Sequence, residues 1–158
     1  MERISIRNIR SVEDAALLQV PALFEAMHRA MEAQGMQLGL VPGGAAKWVE
    51  LAAMNAERFG RLVVAELEGK VVGFAHGAVK LAPEHLGGAR LGHITHVFVE
   101  PGSRGQGVGQ EMVAELRSWF TAREVASIEL QVVVGNEEGL RFWRSMGFAV
   151  GLLQLRKG

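Results

Sequence analysis

The hydrophobic positions of this 158-residue chain alternate between runs of strand length and stripes with helical spacing. Runs rich in β-branched and aromatic residues predict strands at 4–9, 61–67, 70–79, 91–99, 127–134 and 148–155. Apolar residues three and four positions apart predict helices at 11–31, 48–59, 108–124 and 136–146, with Ser11 as the first N-cap and Gly60 just past the second helix. Methionines on the first helix are expected in the core, and the alternative is that they line a ligand groove. The pattern predicts one α/β domain over residues 1–158.

The turn between the strand at 91–99 and the helix from Val108 is unusually rich in glycine. Pro101 and Gly102 stop the strand, and Gly105, Gly107 and Gly109 alternate through the turn. Without a Cβ at these positions the backbone can approach a ligand closely, and the unpaired N–H groups of a helix start suit a phosphate. The candidate phosphate-binding residues are Arg104, Gly105, Gln106, Gly107, Val108 and Gly109. The alternative is a tight turn that binds nothing.

Two common phosphate-binding motifs do not fit this turn. A Walker A loop requires lysine and a hydroxyl residue after its last glycine, and neither follows Gly109. A dinucleotide-binding turn requires a third glycine where Gln110 stands. The remaining pattern, R-x-x-G-x-G at Arg104, Gly107 and Gly109, closely resembles the acetyl-CoA-binding motif of the GNAT N-acetyltransferase superfamily.

A second segment resembles the other GNAT signature, N-x-x-A-x-x-F-Y-x-x-x-G-F. Asn136, Phe142, Gly147 and Phe148 match it, whereas Gly139 replaces the alanine and Trp143 replaces the tyrosine. Asn136 is also a good N-cap residue, and glycine at 147 suits a helix end.

The resemblance implies a mixed, mostly antiparallel sheet with helices on both faces and a splayed central strand pair. In that family the pantetheine arm of the cosubstrate acetyl-CoA lies in the gap, which implies pairing with strand backbone at Phe98 and Val99. Asn136 would lie at the splay, with Phe142 and Trp143 beside the cofactor. The first two helices and their loop would flank the acceptor entrance, which makes Met36, Leu38, Leu40 and Trp48 candidates for substrate contact; the alternative for each is packing in the core.

The same resemblance points to His93 as the catalytic base. His93 stands where many members carry a glutamate and some a histidine, and an imidazole with a pKa near 6.5 can accept a proton at neutral pH. The alternative is a strand histidine bonded to backbone. Thr95, His96, His76 and Glu84 are weaker candidates, and strand alternation places Thr95 on the face of His93 and His96 on the opposite face.

Because the chain has no tyrosine, the group that would protonate the leaving thiolate is not identified. The usual proton donor to the leaving thiolate is the tyrosine that Trp143 replaces, and the chain contains none. The first hypothesis is direct acetyl transfer to a primary amine in a ternary complex; the second is a non-catalytic acyl-CoA sensor or partner-binding module that keeps the cleft.

Composition narrows the classes of partner, site chemistry and cellular location that this protein can have. The 17 basic and 17 acidic residues cancel, which argues against nucleic-acid and membrane-surface partners. Without cysteine there is no disulfide, thiolate metal site or acetyl-cysteine intermediate, and we expect no metal. No run approaches the length of a membrane span and no signal peptide is visible, so we expect a cytoplasmic protein. A homodimer is an expectation from the family alone.

Overall fold

The computed structural model describes residues 3–158 and contains one five-stranded sheet whose spatial order follows the chain. The strands are β1 (Ser5–Asn8), β2 (Gly60–Leu67), β3 (Lys70–Leu81), β4 (Arg90–Val99) and β5 (Ser127–Leu130). The first four pair antiparallel, and β4 and β5 pair parallel. The helices are α1 (Val20–Ala33), α2 (Gly44–Met54), α3 (Val108–Ala122) and α4 (Glu137–Ser145), with short 3₁₀ turns at 15–18, 84–86 and 101–103.

Hydrophobic cores lie on both faces of the sheet. Because side chains alternate along a strand, Val63 and Val64 are both fully buried but belong to opposite cores. The core under α1 and α2 contains Phe24, Val49, Leu62, Val64, Phe74 and Phe98. The core under α3 contains Val63, Ala75, Ile94, Met112, Leu116 and Phe120. The predicted mixed sheet with helices on both faces is therefore confirmed.

The first two helices differ from their predicted bounds. Asp14 rather than Ser11 provides the first cap, since its Oδ1 accepts a hydrogen bond from the N–H of Ala16, and a 3₁₀ turn precedes α1. The second helix ends at Met54, and the prediction that it reaches residue 59 is wrong. Glu57 has a positive φ of 69°, which ends any helical path, and Gly60 opens β2 instead of capping a helix.

Two predicted strands are also corrected. The strand expected at 127–134 ends at Leu130, because the chain beyond it has no strand partner. The strand expected at 148–155 is wrong: these residues form no ladder within the described chain. Leu152 and Leu155 are 95% and 90% exposed. A sequence pattern shows that a segment can form a strand, but it does not supply the partner edge.

A β-bulge at Thr95 changes which histidines share a face. His76 of β3 lies opposite His96 of β4, and the next pair is Gly77 with Ile94, so Thr95 is an extra residue. His93 lies opposite Ala78, two residues after His76. His93 and His96 therefore share the face that looks toward α1 and α2, and the predicted opposite placement of His96 is wrong.

Within residues 3–158, no helix combines the length and the apolar character needed to cross a membrane.

Candidate functional site

A cleft opens in the sheet where the parallel pairing of β4 and β5 stops. The last pair is Ile94 with Leu130, and beyond it the two segments diverge. The space between them has a volume of about 590 Å³. Residues 95–99 form one wall and residues 130–133 form the other. Helix α1 contributes Met27, Ala30 and Met31, and Gln34 follows directly after it. The bulge at Thr95 lies at the point of divergence, so the splay begins where β4 departs from regular pairing.

The glycine-rich turn closes one end of the cleft. Gly105 and Gly107 have φ values of 81° and 80°, a left-handed conformation that suits glycine. Gly107 is the N-cap of α3, and no side chain caps this helix start. The first helical backbone bond runs from the N–H of Glu111 to the carbonyl of Gly107, so the amides before it face the turn without a helical partner. These residues fit an anion such as a diphosphate.

Arg104 ties this turn to the end of β4. Its Nε donates to the carbonyl oxygen of Val99 at 2.8 Å, and its guanidinium lies 5.4 Å from the centroid of the Phe98 ring. Arg104 therefore adds positive charge beside the helix start while fixing the position of the turn against the strand.

The second signature forms another part of the cleft wall. Asn136 caps α4, because its Oδ1 accepts a hydrogen bond from the N–H of Gly139 at 2.9 Å. A Cβ at Gly139 would lie only 2.3 Å from Asn136 Nδ2, so glycine leaves room for this capping side chain. Phe142 and Trp143 pack edge to face with centroids 4.9 Å apart, and Phe142 approaches Gly109 of α3.

The structure brings together most of the site residues expected from the sequence. The cleft is lined by Phe98, Val99, Arg104, Gly105, Gly107, Val108, Gly109, Asn136, Phe142 and Trp143. Gln106 is exposed and does not line the cleft, whereas Gln110, which was not predicted, does. His93 is also outside the lining, but it contacts Gln131, which is inside it.

His93 is half-buried near the closed end of the cleft. Its Nε2 donates to Gln131 Oε1 at 2.8 Å. Lys80 and Glu129 form an ion pair nearby, and both belong to the same sheet face as His93 because Glu129 lies opposite His93 and Lys80 lies two residues after Ala78.

Two further histidines form a cluster around Thr95. Nδ1 of His76 lies 2.7 Å from Thr95 Oγ1, and Nδ1 of His96 lies 3.0 Å from the same oxygen. Trp48 packs edge-on against both imidazoles. Burial lowers the pKa of His76 to about 4, with a smaller contribution from His93. Burial also lowers the pKa of His96 to about 3, with smaller contributions from His76, His28 and His93. Both imidazoles are neutral at pH 7.

The remaining candidates from the sequence are dispersed. Glu84 is exposed in the 84–86 turn, and Leu38 is 55% exposed in the loop before α2. Leu40 and Trp48 pack against the α1–α2 core, and Met36 is half-buried in the loop.

Several cleft residues were not predicted as site residues from the sequence. Met27 and Met31 pack as core residues and also line the cleft, which a helical stripe alone does not distinguish. Gln131 and Gln34 line it too, and an isolated glutamine after a strand or at a helix end has no motif around it. Across the described chain, no three His, Asp or Glu side chains are grouped so that they could hold a metal ion.

Comparison with known proteins supports the sequence resemblance. The model of the Acetyltransferase (GNAT) family matches residues 24–148. No curated protein matches the chain significantly in sequence. The fold resembles that of the aminoglycoside N-acetyltransferase AAC(6')-Iy solved with CoA, with a TM-score of 0.78, 16% identity and coverage of 99% of this chain and 96% of the other.

Two more solved structures show the same fold. An acetyltransferase from Trypanosoma brucei is 22% identical, with a TM-score of 0.72 and coverage of 99% of both chains. A protein described as a transcriptional regulator from Bacillus halodurans C-125 is 18% identical, with a TM-score of 0.76 and coverage of 99% of both chains. The family match extends over most of the chain and includes both signatures, the turn and the cleft; the chain belongs to the GNAT family of acetyltransferases.

Proposed function

We propose that this protein transfers the acetyl group of acetyl-CoA to a primary amine by direct attack in a ternary complex. The observation that carries the proposal is the continuity of the cleft, which runs from the glycine-rich turn at 104–109 to the divergence of β4 and β5 at Thr95. An anion site at one end of a gap lined by both apolar and polar residues suits a CoA thioester, whose charge is concentrated at its diphosphate end and whose arm carries amides.

The binding mode follows from the two ends of the cleft. The amides of the turn and the first turn of α3 would hold the diphosphate, with Arg104 beside it. Within residues 3–158, the edge of β4 from Thr95 to Val99 has no strand partner on the cleft side, so its backbone is available to the amides of the pantetheine arm. Four residues of strand span roughly 14 Å, which brings the thioester toward Thr95 and Gln131.

His93 is the proposed general base, in preference to His96. His96 lines the cleft, but burial lowers its pKa to about 3, and Thr95 already contacts its Nδ1. A base with that pKa holds a proton in only about one molecule in 10⁴ at pH 7. His93 is less buried and touches the cleft wall through Gln131.

The reaction needs a neutral amine, because an ammonium group has no lone pair. For an amine with a pKa near 10.4, deprotonation at pH 7 costs roughly 4.6 kcal/mol. The amine nitrogen bonds to the carbonyl carbon, the carbon–sulfur bond breaks, CoA leaves as its thiolate, and His93 takes the proton of the amine. A backbone N–H on the cleft edge of β4 near Thr95 would polarise the acetyl carbonyl there.

Trp143 lines the cleft where the family carries a tyrosine, and an indole is not a proton donor at pH 7. A thiolate of a thiol with a pKa near 8.5 lies only about 2 kcal/mol uphill at pH 7. The leaving thiolate can therefore take its proton from water. The lack of a general acid at Trp143 should slow the reaction less than the loss of the general base His93 would.

The proposal is tested by measuring thiol release from acetyl-CoA across a panel of primary amines. We expect amine-dependent thiol release, with turnover at least about tenfold lower in His93→Ala and CoA affinity unchanged. A protein that binds CoA but releases no thiol with any amine would instead be the acyl-CoA sensor, the alternative that Trp143 favours. A pH-independent rate between pH 6 and 9 would remove His93 from the mechanism.

We also propose that the protein is a homodimer. The exposed residues Val150, Leu152, Leu153 and Leu155 follow α4 without pairing to a strand, and β5 is an edge strand. A second copy of the chain would cover the exposed apolar residues after α4 and would pair with the free edge of β5. Light scattering after size exclusion is expected to give twice the 17.1 kDa mass of one chain, and a monomer at micromolar concentration would contradict the proposal.

A further inference from the structure

Gln131 is the first residue beyond the β4–β5 ladder, and its side chain reaches back to that ladder. The last ladder pair is Ile94 with Leu130, so the backbone of Gln131 belongs to the diverging wall of the cleft. Its Oε1 nevertheless lies 2.8 Å from Nε2 of His93, 38 residues earlier in the chain. The contact bridges the two central strands at the closed end of the cleft.

We propose that Gln131 is a positioning residue that holds the His93 imidazole with Nε2 protonated and Nδ1 free to accept the proton of the amine. This inference rests on the function proposed above. A glutamine oxygen only accepts hydrogen bonds, so the bond to Oε1 requires the imidazole proton to be on Nε2. In the neutral ring the lone pair is then on Nδ1, and the ring is fixed in one orientation.

The surroundings of His93 leave this role to Gln131. The titratable groups on the same sheet face are His76 and Lys80 of β3, His96 of β4 and Glu129 of β5. His76 and His96 contact Thr95, and Glu129 pairs with Lys80. Gln131 is the partner that the structure gives to the imidazole of His93.

The contact also couples the base to the cosubstrate. Gln131 is on the cleft wall opposite Thr95. The arm of the cosubstrate is proposed to end between these two residues. A glutamine in this position orients the imidazole beside the thioester without adding a charge to the cleft.

The first test compares steady-state kinetics of Gln131→Met with those of the unchanged protein. Methionine has a similar length and no hydrogen-bonding oxygen, so we expect kcat to fall about tenfold while KM for acetyl-CoA stays within about twofold. Val134→Ala is the matched control on the same unpaired segment; Val134 is 83% exposed and outside the cleft lining, so its kinetics should not change. A raised KM for acetyl-CoA with unchanged kcat would show that Gln131 holds the arm instead, and would overturn the proposal.

A double-mutant cycle separates positioning from a general structural effect. In the His93→Ala background, Gln131→Met should cause no further loss, because the group that it positions is gone. An equal loss in both backgrounds would overturn the inference. Gln131→Glu keeps the accepting oxygen and adds a negative charge beside the imidazole, so it should restore most of kcat and move the acidic limb of the kcat/KM profile upward by about one pH unit.

A readout without turnover distinguishes this inference from the proposed function. In an NMR titration of the histidine ring signals, Gln131→Glu should raise the pKa of the His93 ring relative to the unchanged protein by about one unit. If that shift appears in a protein that transfers no acetyl group, the contact stands and the proposed function fails. If the titration curve is identical in both proteins, Gln131 does not hold His93.

Discussion

The half-buried imidazoles of His76 and His96 predict that the fold loses stability in mild acid. Both rings share Thr95 Oγ1, pack against Trp48 and lie between β3, β4 and the helices α1 and α2. Their pKa values are lowered to about 4 and about 3, and burial is the main cause for each. Protonating either ring in the folded protein places a positive charge among aromatic side chains.

The sign and size of the effect follow from proton linkage. In the unfolded chain an imidazole titrates near pH 6.5, so between that pH and the folded pKa the unfolded state binds more protons and stability falls as the pH falls. From pH 8 to pH 5, each ring is expected to reduce the free energy of unfolding by about 2 kcal/mol, or about 4 kcal/mol together. The stability is fully present above pH 6.5 and is lost as the pH falls toward the folded pKa values.

Urea unfolding followed by tryptophan fluorescence at pH 8, 7, 6 and 5 measures this loss. His96→Gln should reduce the difference between pH 8 and pH 5 to about 2 kcal/mol, because one of the two rings no longer titrates. His85→Gln is the matched control: His85 is exposed in the 84–86 turn, so its variant should keep the full dependence. Equal stability at pH 8 and pH 5 in the unchanged protein would refute the conclusion that the fold holds these two imidazoles neutral.

Three further predictions concern the turn, the α4 cap and the acid step. Gly107→Ala should weaken CoA binding about tenfold by calorimetry, because holding alanine at the φ of 80° that presents the amides of the turn costs about 1–2 kcal/mol. Gly102→Ala, at an open position without positive φ, should bind normally, and equal affinities of the two variants would refute the site. Asn136→Ala should lower the free energy of unfolding by about 1 kcal/mol and Asn136→Ser by less, since serine keeps a capping oxygen; equal losses would show that the cap contributes nothing. Trp143→Phe should lower kcat by less than about tenfold, and a larger fall at unchanged KM would identify the indole as part of the chemistry.

The parts of the fold that local patterns determine were predictable from the sequence. The apolar stripe of α3 places Val108, Met112, Leu116 and Phe120 in the core, as its spacing indicates. The polar turn between β2 and β3 gives the expected hairpin, and the glycine pattern of the turn before α3 corresponds to its left-handed backbone. In each case the residues that decide the structure are neighbours in the chain.

The features that depend on distant partners were not predictable. The bulge at Thr95 exists only in the register of β4 against β3, so simple alternation placed His96 on the wrong face. The segment after Leu130 is rich in valine and looks like a continuing strand, but it leaves the ladder to form the cleft. The contact between Gln131 and His93 depends on that divergence, so no local pattern could predict it.

A crystal structure of the protein with acetyl-CoA tests the proposed cosubstrate site most directly. The diphosphate is expected within hydrogen-bonding distance of the backbone amides around Gly107 and Gly109, and the pantetheine arm between residues 95–99 and 131–133. Acetyl-CoA bound elsewhere, or a turn without the diphosphate and with residues 131–133 paired to β4, would contradict it.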